Sequence, residues 1–157
     1  MITIALVNPQ IPQNTGSTAR LTAATNTRLH LVGKMGFEIT DASVKRAGLD
    51  YWHLVNWAHF EDIETYFADK AAESLYLVTT KGKTIYSDAE FSPDITLVFG
   101  AETVGLPKWL MDKYADRWIT IPMVNQAAGM RSLNLATSVG VVTYEAIRQC
   151  GWETMSL

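Results

Sequence analysis

Three clusters of polar residues and glycine each follow an apolar run of the chain, and each holds groups able to grip an anion, a flat ring or a sugar. The first is Asn8-Pro-Gln-Ile-Pro-Gln-Asn-Thr-Gly-Ser-Thr-Ala-Arg20, where Asn14, Gly16 and Arg20 form N-x-G-x-x-x-R. Glycine tolerates a tight turn or a close approach of backbone to ligand. On a helix, Gly16 and Arg20 are four apart and share a face. A helix beginning here would favour an anionic phosphate, with Arg20 able to hold it bidentately. The plainer alternative is a helix cap at Asn14 or Thr15 and a solvated arginine.

The second cluster is Phe99-Gly-Ala-Glu-Thr-Val-Gly-Leu-Pro107. Gly100 and Gly105 stand at the five-residue step of a phosphate-binding P-loop, but that motif needs Lys and then Ser or Thr directly after the second glycine. Leu106 and Pro107 occupy those places, so the P-loop reading fails. What remains is a glycine loop that can admit a flat cofactor beside Glu102, or a plain strand-turn-helix link. The third cluster runs from Ile121-Pro-Met123 through Arg131-Ser-Leu-Asn-Leu135. Ser132 suits a helix cap. Asn134 is a poor helix former beside an apolar run, which points to another use.

The elements that position these clusters follow from the hydropathy pattern. Short, continuously apolar runs predict strands at Ile2–Val7, Leu29–Val32, Leu75–Thr80, Ile95–Phe99 and Trp118–Ile121, with a weaker one at His53–Trp57. Helical spacing predicts helices over 16–26, 61–72, 107–114 and 132–149, the last with Leu135, Ala136, Val139, Val142, Ala146 and Ile147 on a broad apolar face. Strands alternating with helices, each strand apolar throughout, predict an α/β fold: a mainly parallel sheet with helices on both faces, in one domain over 1–157. In such sheets ligands bind beyond the carboxyl ends of the strands, where all three clusters fall.

Composition narrows the class. With 48% hydrophobic and 18% charged residues among 157, the chain is globular and large enough to bury its own core. One cysteine, Cys150, permits no intrachain disulfide and fits a reducing compartment. No signal peptide or membrane-length apolar run is visible, so a soluble, cytoplasmic protein is expected. His30, His53 and His59 lack metal-ligand spacing, and no metal is expected. G-x-S-x-G and G-x-G-x-x-G are both absent, against a hydrolase elbow and a dinucleotide site. The net charge of −3 gives no support to nucleic-acid binding on its own.

Together, in this order and spacing, the three clusters resemble the three motifs of the SPOUT methyltransferases, the knotted α/β family. Met35-Gly-Phe37, Arg46-Ala-Gly-Leu-Asp-Tyr51 and the lack of an appended RNA-binding domain make the chain most similar to the minimal tRNA 2′-O-methyltransferases of the wobble nucleotide, position 34, cytidine or uridine. The resemblance implies a C-terminal deep trefoil knot and a homodimer whose active sites draw on both chains. It implies S-adenosylmethionine as methyl donor, S-adenosylhomocysteine as product, and the tRNA anticodon stem-loop as partner.

It also implies the site. Val78, Thr79, Thr80, Phe99, Gly100, Glu102, Gly105, Ile121, Met123, Ser132 and Leu133 would hold the cofactor, largely by backbone groups. Arg20 would face the target ribose with Asn14 orienting it, and Asn134 and Tyr144 would complete the RNA side. Tyr144 is equally readable as a half-buried aromatic on the last helix. Arg20, Arg28, Lys34, Lys45, Arg46, Lys81, Lys83 and Arg131 are candidate phosphate contacts. A guanidinium stays protonated in water and is a poor base, so Arg20 is expected to polarise the hydroxyl and hold the phosphate, the final proton acceptor staying open. Two other readings compete: the same chemistry at another tRNA or ribosomal RNA site, and a knotted nucleotide-binding dimer without catalysis.

Overall fold

The computed structural model describes residues 1–39, 50–125, 129 and 131–151. Seven strands form one sheet in the order β3-β2-β1-β6-β4-β7-β5: β1 (Thr3–Val7), β2 (Arg28–Val32), β3 (Asn56–Phe60), β4 (Leu75–Val78), β5 (Thr84–Ile85), β6 (Thr96–Phe99) and β7 (Trp118–Thr120). Every pairing is parallel, with Thr3 beside both Arg28 and Thr96 in the central register. Among the described residues four α-helices connect them: α1 (Pro12–Thr25), α2 (Ile63–Phe67), α3 (Lys108–Lys113) and α4 (Leu135–Cys150).

Alternation along the central strands divides the core into two layers. Ile4 and Leu6 point with Leu29, Leu31 and Leu97 toward Ala19 of α1 and Val139 and Val142 of α4. Ala5 and Val7 point to the opposite face, with Leu77, toward Phe67 of α2 and Leu110 of α3. Both faces of the sheet centre are therefore covered, which is why β1, β4 and β6 are buried nearly throughout. Among the described residues no helix is long and apolar enough to cross a membrane.

Four expectations need correction. The weak strand at His53–Trp57 lies three residues later, because Trp52–Leu54 closes a 3-10 turn first. Residues 61–72 are helical only over Ile63–Phe67, where the Asp62 carboxylate caps the Thr65 N–H and pairing stops after one turn. Helix α1 starts at Pro12, not at Asn14 or Thr15. Proline fixes a helical φ and forfeits an N–H that has no partner there, so no side-chain cap is used. At α4 the cap is Asn134, not Ser132: the Asn134 Oδ1 accepts the Thr137 N–H at 3.3 Å.

Candidate active site

A pocket of about 460 Å³ opens beyond the carboxyl ends of β4, β6 and β7. From β4 it takes Val78, Thr79 and Thr80; from the glycine loop after β6, Phe99, Gly100, Glu102 and Gly105. Ile121 and Met123 follow β7, and Ser132 and Leu133 close the wall before α4. All eleven expected cofactor contacts thus border one cavity. Its volume falls within the ~300–1,000 Å³ typical of cofactor and ligand sites.

The glycine loop explains how the pocket floor is made. Ala101 and Gly105 exchange both backbone hydrogen bonds, at 3.2 and 2.8 Å, folding the loop back on itself. A Cβ on Gly100 would lie 2.3 Å from the Gly105 carbonyl carbon, so only glycine lets the two backbones touch. Gly105 turns the loop with φ +71°, in the left-handed region that favours glycine. Glu102 is thereby carried to the foot of α1.

There a directional chain of hydrogen bonds links the three clusters. The Glu102 carboxylate accepts the backbone N–H of Gln10 at 2.9 Å, that of Ile11 at 3.0 Å, and the Asn14 amide at 3.0 Å. Asn14, buried, turns its Oδ1 to the Asn134 Nδ2 at 2.9 Å. Asn134 then spends its own Oδ1 on the cap of α4. An ionised carboxylate only accepts and a helix N–H only donates, so both amides have one orientation. Burial opposes the Glu102 charge, but the Asn14 amide and the two backbone donors outweigh it and hold the carboxyl below its usual range.

Asn14 and Asn134 line the pocket; Arg20 and Tyr144 do not. Arg20 projects from an exposed face of α1, its guanidinium carbon 4.8 Å from the centre of the Tyr51 ring. Gly16 makes no turn: it lies buried inside α1, and its carbonyl accepts the Tyr51 hydroxyl at 3.1 Å. Tyr144 stands on α4 with 47% of its surface exposed, one residue before Glu145. Arg148 and Gln149 hold the Glu145 carboxyl down to about 2, Arg148 chiefly, through bonds of 2.8 Å each.

Of the candidate phosphate contacts, Lys81 and Arg131 border the pocket, and Lys34 and Lys83 follow β2 and β4 at the same end of the sheet. Arg28 opens β2 at the opposite end. Lys45 and Arg46 lie outside the described residues. Among the described residues no group of His, Cys, Asp and Glu could hold a metal ion. Sequence reasoning missed Gln10, Ile11 and Tyr51. The first two stand inside the first cluster, where backbone donors leave no side-chain signal; Tyr51 ends Arg46–Tyr51, which had been weighed only as a family mark.

Residues 1–144 match the SpoU rRNA Methylase family. The chain is 41% identical over 156 residues to the tRNA (cytidine(34)-2′-O)-methyltransferase of Burkholderia pseudomallei strain 1106a, covering 98% of both chains. It superposes on a solved structure concerned with the 2-OH methylation of C/U34 on tRNA with TM-score 0.83, at 35% identity over 95% of each chain. The methyltransferase AviRb of Streptomyces viridochromogenes, solved with AdoMet, shares the fold at TM-score 0.75 and 23% identity, over 94% of this chain and 57% of its own.

Proposed function

Because the chain belongs to the SpoU rRNA Methylase family, we propose that it methylates the ribose 2′-oxygen of nucleotide 34 of tRNA, cytidine or uridine, with S-adenosylmethionine as donor. The observation that carries this reading is the pocket itself. It gathers the three clusters at one end of a parallel sheet and joins them through Glu102, Asn14 and Asn134. The 41% identity to a cytidine-34 enzyme over 98% of both chains supports the choice of nucleotide.

The residues present fit the donor. Val78, Phe99, Ile121 and Leu133 offer apolar walls for a flat base, and the bare backbone at Gly100 and Gly105 offers polar groups with no side chain in the way. When bound, the donor supplies an electrophilic methyl on a sulfonium. Displacement at that carbon needs little covalent help and much alignment, and proximity alone can be worth ~7–11 kcal/mol. Asn14 and Asn134, locked by Glu102 and by the α4 cap, form a wall that cannot reorient as the ribose docks. Arg20 polarises the hydroxyl and holds the neighbouring phosphate through its planar fork of donors.

Arg20 stands outside its own chain's pocket, and this supports a homodimer in which it serves the partner's pocket. The C-terminal trefoil knot belongs to the same reading; the placing of β7 between β4 and β5 favours it. A cytoplasmic location follows from a tRNA substrate.

The test is methyl transfer from labelled donor to unmodified tRNA, wild type against Arg20→Ala, with the product mapped. Label on the 2′-oxygen of nucleotide 34, formed far more slowly by the variant, is the expected result. Label at another nucleotide keeps the chemistry and overturns the position. No transfer despite donor binding makes the chain a nucleotide-binding module instead.

A further inference from the structure

We infer that Tyr51 is the positioning residue of Arg20, holding the guanidinium in its working direction while leaving every N–H free for the RNA; the inference rests on the role proposed above for Arg20. Two contacts carry it. The Tyr51 hydroxyl donates to the Gly16 carbonyl at 3.1 Å, and the ring underlies the Arg20 guanidinium at 4.8 Å. In α-helical pairing the Gly16 carbonyl also receives the N–H of Arg20. Tyr51 therefore holds Arg20 at both its backbone partner and its side-chain tip.

The choice of an aromatic partner has a chemical reason. A carboxylate beside Arg20 would consume the donors and cancel the charge that a phosphate needs. A ring binds the cation through its face and leaves the in-plane N–H groups outward. Among the described residues the ion pairs are Met1 with Asp94, Lys108 with Asp112 and Arg148 with Glu145, and none involves Arg20. The ring is itself well founded. Tyr51 packs against the core layer shared by α1 and α4, next to Trp52, which meets Trp57 edge on at 5.4 Å.

Gly16 acquires a role from the same geometry. It lies one turn before Arg20 on the same helix face and supplies the carbonyl that the Tyr51 hydroxyl meets. The glycine of N-x-G-x-x-x-R thus serves the arginine of the same motif, through a tyrosine 35 residues away in sequence.

The experiment is a double-mutant cycle on methyl transfer to tRNA with Tyr51→Leu, Arg20→Ala and their combination, the donor Kd being measured for each. Tyr51→Leu is expected to slow single-turnover transfer about 2- to 30-fold, the span of one cation–π contact, with the donor Kd unchanged. It should add nothing in the Arg20→Ala background. Isosteric replacements guard against misfolding: phenylalanine at 51 should transfer faster than trifluorophenylalanine, whose shape is similar but whose ring face no longer attracts a cation. Equal rates for those two, an additive double mutant, or a wild-type rate for Tyr51→Leu beside an impaired Arg20→Ala would overturn the inference alone. A wild-type rate for Arg20→Ala would overturn the role it rests on, and the inference with it.

Discussion

Glu102 does more at this site than its single charge suggests. Its two oxygens meet three donors from the foot of α1, and of these three Asn14 is the one that donates from a side chain and lines the pocket. Replacing it with glutamine turns one acceptor into a donor that must point at an N–H. Glu102→Gln is expected to cost about 1 kcal/mol of stability, the net worth of one partly solvated hydrogen bond. Methyl transfer should fall further, by roughly 10-fold or more, because Asn14 loses its orientation. Denaturant melts and single-turnover rates on one preparation separate the two; a rate unchanged beside lost stability would make Glu102 structural only. A second residue-scale prediction concerns His30, which shares a 2.7 Å hydrogen bond with the Tyr66 hydroxyl away from the pocket. Burial first, then Lys70 and Arg28, lower its pKa from 6.5 to about 4. The unfolded chain therefore binds the extra proton between those values. The stabilisation is fully present above pH 6.5 and is lost as pH falls toward 4. Partial exposure of the ring limits it to about 1–2 kcal/mol. Wild type should lose that much between pH 6.5 and 4 in urea melts, and His30→Gln should not; parallel profiles would refute the assignment.

At the scale of elements, what was legible in the sequence and what was not divide along physical lines. Strands buried on both faces announce themselves as apolar runs, and β1, β2, β4, β6 and β7 all coincide with such runs. The two-residue edge strand β5 is too short for any period, and β3 was displaced because a 3-10 turn has no hydropathy signature. The eleven residues expected to hold the cofactor were placed through a family resemblance, and the loops after three strands bring them to one cavity. Composition and spacing could not show that Asn14 and Asn134 would be joined across 120 residues. Asn134 is the sharpest case. As a poor helix former it suggested a function, and it has two: it caps α4 and it anchors Asn14. The substitutions Asn134→Asp and Asn134→Ala separate them. Aspartate keeps the cap and suits a helix N-terminus, so stability should hold, whereas alanine should cost about 1 kcal/mol. Both should depress methyl transfer equally, since neither can donate to the Asn14 Oδ1. Thermal melts and transfer rates decide it; an active Asn134→Asp enzyme would reduce the asparagine to a cap.

The whole molecule must solve a problem that one chain does not: an acidic protein of net charge −3 has to hold a polyanion, and its arginine lies outside the lining of its own pocket. A dimer answers both. Two copies would merge Lys34, Lys81, Lys83 and Arg131 into one surface around the anticodon loop, with each Arg20 brought to the partner's pocket. Binding to tRNA should then weaken steeply as salt rises, since each phosphate contact releases a counterion. The decisive prediction is complementation. Arg20→Ala leaves the pocket intact; Ser132→Trp, an exposed rim position, fills the pocket and leaves Arg20 intact. Each variant alone should be strongly impaired. If the arginine acts across the interface, a mixed dimer carries one site with both defects and one with neither. Random pairing makes half the dimers mixed and half of their sites whole, so co-expressed variants should regain about a quarter of wild-type methyl transfer, the arithmetic of a two-fold assembly. If each chain served its own pocket, every site in the mixed dimer would carry one defect and no activity would return. Transfer measured on the mixed dimer alone, isolated through a separate affinity tag on each variant and expected at about half of wild type, distinguishes the two arrangements in a single assay.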